Sequence, residues 1–135
     1  MSVIIVGNIS IVSLSTMISE VTQMAQRREL MKGNIDSLLL CLMSQKPMYG
    51  YQIIKELEHR SEGYFQFKEG TLYTALHRLE KAGLILGKWR MLPTGQQRKY
   101  YHTTDKGYAI LVENRDQWQD FLTAMNLIIQ PSGTK

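Results

Sequence analysis

The 135-residue chain contains a single cysteine, only three prolines and no catalytic signature. With one thiol, Cys41, no disulfide can form within the chain, which fits a reducing compartment. Placed in an apolar helical period, Cys41 reads as a small core hydrophobe. The three histidines, His59, His77 and His102, are scattered, and no HExxH, GxSxG or Cys–His ligand spacing occurs. No glycine-rich phosphate loop follows a strand. Pairs such as Glu56 and Glu58 sit two apart on a helix and point away from each other, so they read as solvated surface. Neither an enzyme nor a cofactor or metal site is expected. Residues 1–15 are apolar in patches, but no Lys or Arg precedes them and Gly7-Asn8 interrupts them. That argues against a secretory leader, and the run is too short and broken to span a bilayer. The expectation is a cytoplasmic location without membrane contact.

Carboxylates are missing from one stretch in particular, since residues 84–101 have none. From Lys68 to Lys106 there are eight basic residues against three acidic ones, a local charge of +5 in a chain whose net charge is +4. The remainder therefore carries −1, and the positive excess is confined to one segment. Such a concentration suits a polyanion, because each neutralised phosphate releases condensed counterions. A solvated basic face is the plainer reading of charge alone.

The segment has a definite layout. Leu72, Leu76 and Leu79 recur at helical spacing and form one apolar stripe. Thr71, Tyr73, Thr74, His77 and Lys81 fall on other faces, and Gly83 supplies a left-handed stop. Leu84 to Arg90 and Arg98 to Thr103 then read as two short strands. Between them Leu92-Pro93-Thr94-Gly95-Gln96 has turn chemistry. A polar-faced helix followed by a basic hairpin is the layout of a winged helix-turn-helix.

Six ordered pieces resemble the PadR family of bacterial transcriptional regulators: Met31-Lys32-Gly33, Tyr49-Gly50-Tyr51, Glu69-Gly70-Thr71-Leu72-Tyr73, Arg78-Leu79-Glu80, Arg98-Lys99-Tyr100-Tyr101 and Thr104-Asp105-Lys106-Gly107. They run over roughly residues 30–129. The single C-terminal helix is similar to the compact subfamily. Thr74 stands where the family pattern usually has proline and Thr103 where it usually has leucine. The extra arginine that the family often carries near Gln96 is absent.

The rest of the chain falls into place around this segment. The fold class expected is mainly α with a small β-hairpin: a winged helix-turn-helix plus a long C-terminal dimerisation helix. The divisions are an N-terminal extension (1–29, partly helical or flexible), the DNA-binding domain (30–103), the C-terminal helix (104–130) and a tail (131–135). Val3 to Val6 and Ile9 to Leu14 read either as short strands or as a frayed helix. The first ~20 residues stay open between a flexible extension, a partner-binding arm and an upstream start. Thr22 to Arg28 reads as helical. Met31 to Met43, with Ile35, Leu38, Leu39, Leu42 and Met43 in period, reads as the first core helix. Pro47 breaks it. Tyr51 to His59 follows with Ile53, Ile54 and Leu57 inward. Tyr64-Phe65-Gln66-Phe67 is expected as an extended piece pairing at the hairpin's edge. Arg78 is expected to pair with a carboxylate, Glu80 or Glu56.

In a helix-turn-helix the second helix enters the major groove. Groove contacts are therefore expected from Thr71, Tyr73, Thr74 and His77, with Lys81 on phosphate; packing on the hairpin is the other reading of Tyr73. In the wing, Arg90, Thr94, Gln96, Gln97, Arg98 and Lys99 are the candidates for backbone and minor-groove contacts. Trp89 and Tyr100 are expected to pack beneath the wing.

Thr104-Asp105 is an N-cap signal for a helix running to about Ile129. At ~25 residues and ~37 Å it would overhang so small a domain. Its stripe (Tyr108, Leu111, Val112, Trp118, Leu122, Met125 and Ile129, widened by Phe121 and Ile128) needs cover, most simply from a second copy. Leu111, Val112, Trp118, Leu122, Met125 and Ile129 are thus candidate dimer contacts. Trp118 is open to two readings, as dimer core or, through the family resemblance, as part of a site for flat aromatic effectors with Phe121, Leu122 and Met125. The function expected is a dimeric, ligand-responsive repressor on a palindromic operator in double-stranded DNA. The alternative is a winged-helix protein-interaction module, which salt-titrated DNA binding would separate.

Overall fold

A computed structural model describes residues 5–6, 9–31 and 34–130. In chain order the elements are β1 (Ile5–Val6), β2 (Ile9–Ser10), α1 (Ile11–Met31), α2 (Ile35–Gln45), α3 (Gly50–Arg60), α4 (Glu69–Lys81), β3 (Ile85–Met91), β4 (Gln97–Thr103) and α5 (Asp105–Ile129). The chain divides into two compact units, Met1–Ile35 and Asp36–Lys135. In the first, β1 and β2 pair antiparallel with Val6 opposite Ile9, and helix α1 follows directly. Its residues Leu14, Met17, Ile18, Val21 and Met24 are exposed. The short strands expected near the N-terminus are therefore two residues long, and the tail at 131–135 lies outside the described residues.

The second unit is a winged helix. Its core is built where the helical periods converge: Leu39, Leu40 and Met43 from α2, Ile53 and Leu57 from α3, Leu72, Leu76 and Leu79 from α4, and Ile85 from β3 are all at most 5% exposed. Burying one such side chain contributes about 2 kcal/mol. Helix α2 starts four residues later than the apolar period of Met31 to Met43 predicts, Met31 being the last residue of α1. Asn34, a poor helix former directly before Ile35, fits this later start. Ser37, which the period missed, is buried and its Oγ accepts Asn114 Nδ2 of α5 at 2.8 Å.

The hairpin β3–β4 is antiparallel, with Gly87 opposite Tyr101, Trp89 opposite Lys99 and Arg90 opposite Arg98. Its edge is met by Met48, not by the 64–67 segment. Met48 N–H donates to Tyr101 O at 3.0 Å and Tyr101 N–H donates to Met48 O at 2.8 Å. Tyr64 to Phe67 runs without ladder pairing, with Tyr64 edge-on to Phe65. Met48 takes the position because Pro47 holds the chain extended just before α3, beside the strand.

Both helix ends facing this hairpin are tightly capped. After α4, Gly83 lies at φ 77°, its N–H donates to Glu80 O, and Leu84 N–H donates to Leu79 O, a Schellman closure. Thr104 then caps α5. Its Oγ1 accepts Gly107 N–H at 3.2 Å and donates to Gly83 O at 2.8 Å, while Lys106 Nζ donates to Ala82 O. Gly107 has no room for a side chain against the Leu84 carbonyl. Thr103, in place of the family's usual leucine, donates to Leu40 O at 2.8 Å and so ties β4 to α2.

The same closure ends α3, but its left-handed residue is Glu62, at φ 52°. A side chain there costs about 1 kcal/mol or more, offset in part by the greater unfolded-state freedom of glycine. Glu62→Gly should therefore stabilise the fold by about 0.5 kcal/mol, read as a higher thermal midpoint; a lowered midpoint would contradict this account of the cap.

Candidate nucleic-acid interface

Helix α4 turns one face outward. Thr71, Tyr73, Thr74, His77 and Lys81 are all exposed, while Leu72, Ala75, Leu76 and Leu79 fill the inner face. The helical period thus separates the candidate groove residues from the core, as read from the sequence. Two of the five have structural duties. Thr74 Oγ1 donates to Gly70 O of its own helix at 2.8 Å. The Tyr73 ring rests on Gly50 at the start of α3, so close that a Cβ there would lie 2.7 Å from its hydroxyl. Tyr73 therefore packs on α3 rather than on the hairpin, while its side chain stays half exposed.

Arg78, on the flank of the helix, is held by Asp36. Its Nη2 donates to Oδ1 at 2.7 Å and Nη1 to Oδ2, a fork-to-fork pair from α4 to α2. This hydrogen bonding raises the Arg78 pKa. Neither carboxylate named from the sequence is the partner. Glu56 pairs with Arg60 one turn along α3, and Glu80 turns to the hairpin.

The wing tip is a tight reversal in which Gly95 N–H donates to Leu92 O, Leu92 N–H donates to Gln96 O, and Gly95 sits at φ 87°. Thr94, Gln96 and Gln97 are exposed there. On one face of the ribbon Arg90 and Arg98 stand directly opposite each other. Like charges so placed repel. Each lies over a tyrosine ring, Arg90 over Tyr100 at 4.6 Å and Arg98 over Tyr49 at 4.4 Å, and the two rings meet edge-on at 5.4 Å. Ring quadrupoles hold the cations without neutralising them. Tyr49 is not among the site residues that the sequence pattern marks. It arrives through the Met48–Tyr101 bridge, because alternation along an extended chain buries Met48 and sends Tyr49 to the opposite face. Sequence spacing carries no sign of that contact, 49 residues from its partner arginine.

Two wing residues differ from expectation. Trp89 does not pack beneath the ribbon; opposite Lys99 in the register, it is 66% exposed. Tyr100 is partly covered, but by Tyr49 and Arg90. Lys99 points to the α4 side, where its Nζ lies 2.9 Å from Glu80 Oε1 and 5.3 Å from the Tyr101 ring centre. Glu80 Oε2 also accepts Gly87 N–H at 3.1 Å. The hydrogen bond from Lys99 holds the Glu80 carboxyl below its ordinary range, and the same bond raises Lys99. Burial pushes the Tyr101 hydroxyl up.

Helix α5 is covered only near its start. Leu111 is buried, Val112 and Trp118 are half-buried, and Phe121, Leu122, Met125, Ile128 and Ile129 are exposed. Phe121, Ala124, Met125, Ile128 and Ile129 line an open apolar hollow of about 350 Å³. Of the four residues named as an effector site, it gathers Phe121 and Met125 but neither Trp118 nor Leu122. Among the described residues no group of three or more His, Cys, Asp or Glu is placed to hold a metal ion, and no helix is long and apolar enough to cross a membrane.

Residues 39–113 match the model of the transcriptional regulator PadR-like family. The chain is 36% identical over 104 residues to an uncharacterised protein of Lysinibacillus sphaericus, covering 77% of this chain and 95% of that one. A transcriptional regulator of Mycobacterium tuberculosis is 31% identical over 88 residues, covering 65% and 78%. Among solved structures, a PadR-like transcriptional regulator from Bacillus cereus superposes with a TM-score of 0.68 at 34% identity, covering 77% of this chain and 99% of that one. A PadR family transcriptional regulator from Eggerthella lenta superposes at 0.70 with 28% identity, covering 86% and 99%.

The Glu80–Lys99 pair sets a pH dependence of stability. Because the folded Glu80 pKa is lowered, its contribution is complete above the ordinary carboxylate value of 4.5 and is lost as pH falls through the folded value. Between about pH 6 and pH 3 the wild-type thermal midpoint should therefore drop further than that of Glu80→Gln. Equal drops would contradict the pairing.

Proposed function

The chain belongs to the PadR-like family of transcriptional regulators, and on that premise we propose that it binds operator DNA as a homodimer and represses transcription until an effector releases it. The observation that carries the reading is the wing. Two arginines face each other across a hairpin that has no carboxylate, each held over a tyrosine ring. A phosphate placed between them would convert a repulsion into two charge-assisted hydrogen bonds.

In this reading α4 enters the major groove, with Thr71, Tyr73, Thr74 and His77 toward base edges and Lys81 on phosphate. Thr74 can still accept a hydrogen bond while donating to Gly70. A side chain at Gly70 would meet nothing within 4 Å, so the fold does not require glycine there. Its bareness at the exposed start of α4 instead leaves the backbone amides open to a phosphate. Arg90, Arg98, Thr94, Gln96 and Gln97 follow the adjacent backbone or minor groove. Lys99, engaged by Glu80, contributes less.

Dimerisation is supported by the uncovered half of α5. Six large apolar side chains stand exposed between Phe121 and Ile129, more than a monomer leaves open without use. A second copy packed along Trp118, Leu122, Met125 and Ile129, with Leu111 and Val112 nearer the winged domain, covers them. The two α4 helices then read half-sites about 34 Å apart or a multiple of it. The hollow around Phe121 and Met125 is the favoured seat for a flat hydrophobic effector, whose binding would shift the paired helices and that spacing. The matched regulators favour this over an enzyme, and the charge distribution favours it over a module that binds only protein.

Replacing Arg90 and Arg98 with Ala should weaken binding to all duplexes alike and reduce the slope of log K against log salt by about 0.9 per lost phosphate contact. Replacing His77 should change preference among sequences and leave the slope. Equal effects of both would contradict this division. Met125→Glu with Ile128→Glu should convert a dimer at micromolar concentration to a folded monomer by sedimentation; an unchanged mass would place the interface elsewhere.

A further inference from the structure

Between Gly70 and Thr104 the chain keeps one carboxylate, Glu80, in the segment richest in positive charge. For a surface that meets a polyanion, this residue works against affinity. It cancels the charge of Lys99 beside the hairpin. Its geometry shows what it does instead. Oε1 takes Lys99 Nζ at 2.9 Å from β4, and Oε2 takes Gly87 N–H at 3.1 Å from β3. One side chain at the end of α4 thus grips both strands of the wing, at positions two register steps apart on the same face. The fit is close. A Cβ at Gly87 would lie 2.9 Å from Glu80 Oε2 and 3.1 Å from Tyr101, and would overlap the Lys99 side chain.

We propose that Glu80 is a positioning residue for sequence discrimination: it fixes the pitch of the wing against α4 so that both engage one duplex in a single register, at the cost of one positive charge. The inference rests on the DNA-binding reading above. A helix and a ribbon that could swing independently would still find phosphates, but would hold the base-reading face in no fixed relation to them.

The test compares two probes, the duplex that the wild-type chain selects from a random-sequence library and a scrambled duplex of equal length and composition. Glu80→Ala removes the grip and frees Lys99. It should bind the scrambled duplex more tightly, steepen its salt slope by about 0.9, and lose about tenfold or more in the selected-to-scrambled ratio. Glu80→Gln frees Lys99 but keeps an acceptor for Gly87 N–H. It should steepen the slope similarly while holding the ratio within about threefold of wild type. Gly87→Ala keeps every charge yet pushes the pair apart, so it should lose the ratio with a smaller change of slope than Glu80→Ala; it also carries the test if Glu80→Ala fails to fold by circular dichroism. Retention of the wild-type ratio by Glu80→Ala, or by Gly87→Ala where Glu80→Ala is unfolded, would overturn the proposal. So would an equal loss in Glu80→Gln and Glu80→Ala. A wild-type chain that selects no sequence would overturn the DNA reading itself, a separate result.

Discussion

A two-stranded ribbon is barely stable alone in water, so this winged helix depends on how its hairpin is fastened to the helices. The fastening is a reciprocal pair of backbone hydrogen bonds between Met48 and Tyr101. They add a one-residue third strand, which seats Met48 and Ile85 fully in the core and brings Tyr101 nearly so. The other ties converge on the same ribbon. Thr103 reaches the Leu40 carbonyl, Glu80 holds both strands, and the start of α5 is docked on the cap of α4 through Thr104 and Gly107.

The same bridge shapes the electrostatics. By placing Tyr49 beneath Arg98, it lets two facing arginines coexist on a strand pair without a carboxylate between them. Charge is thereby oriented rather than cancelled, which is what a phosphate-binding surface requires. On the opposite face Lys99 is neutralised by Glu80. The ribbon has a face that holds charge ready and a face that fixes its pose. Under the proposed function, the first supplies affinity and the second supplies register.

Local chemistry made much of this readable beforehand. The Leu72-Leu76-Leu79 stripe, the Gly83 stop, the Pro93–Gly95 reversal and the Thr104 cap all signal through neighbouring residues, and each stands where the sequence predicts. What could not be read depends on distant pairing. Asp36 as the partner of Arg78 lies 42 residues away, and Tyr49 reaches Arg98 only because Met48 closes the sheet edge. The exposure of Trp89 is not legible either, because alternation tells which face a residue occupies, not what covers that face. The start of α2 at Ile35 is not legible in the sequence because the apolar period runs on from Met31.

The central claim is that the outer face of α4 and the arginine face of the wing meet one duplex together. Amide chemical-shift mapping of the labelled chain, titrated with its selected duplex, tests it most directly. The account predicts perturbation concentrated at residues 70–81 and 88–98, with the outer surface of α3 around Lys55 and Glu58 unmoved. Shifts confined to α3 or α5, with both predicted segments silent, would contradict it.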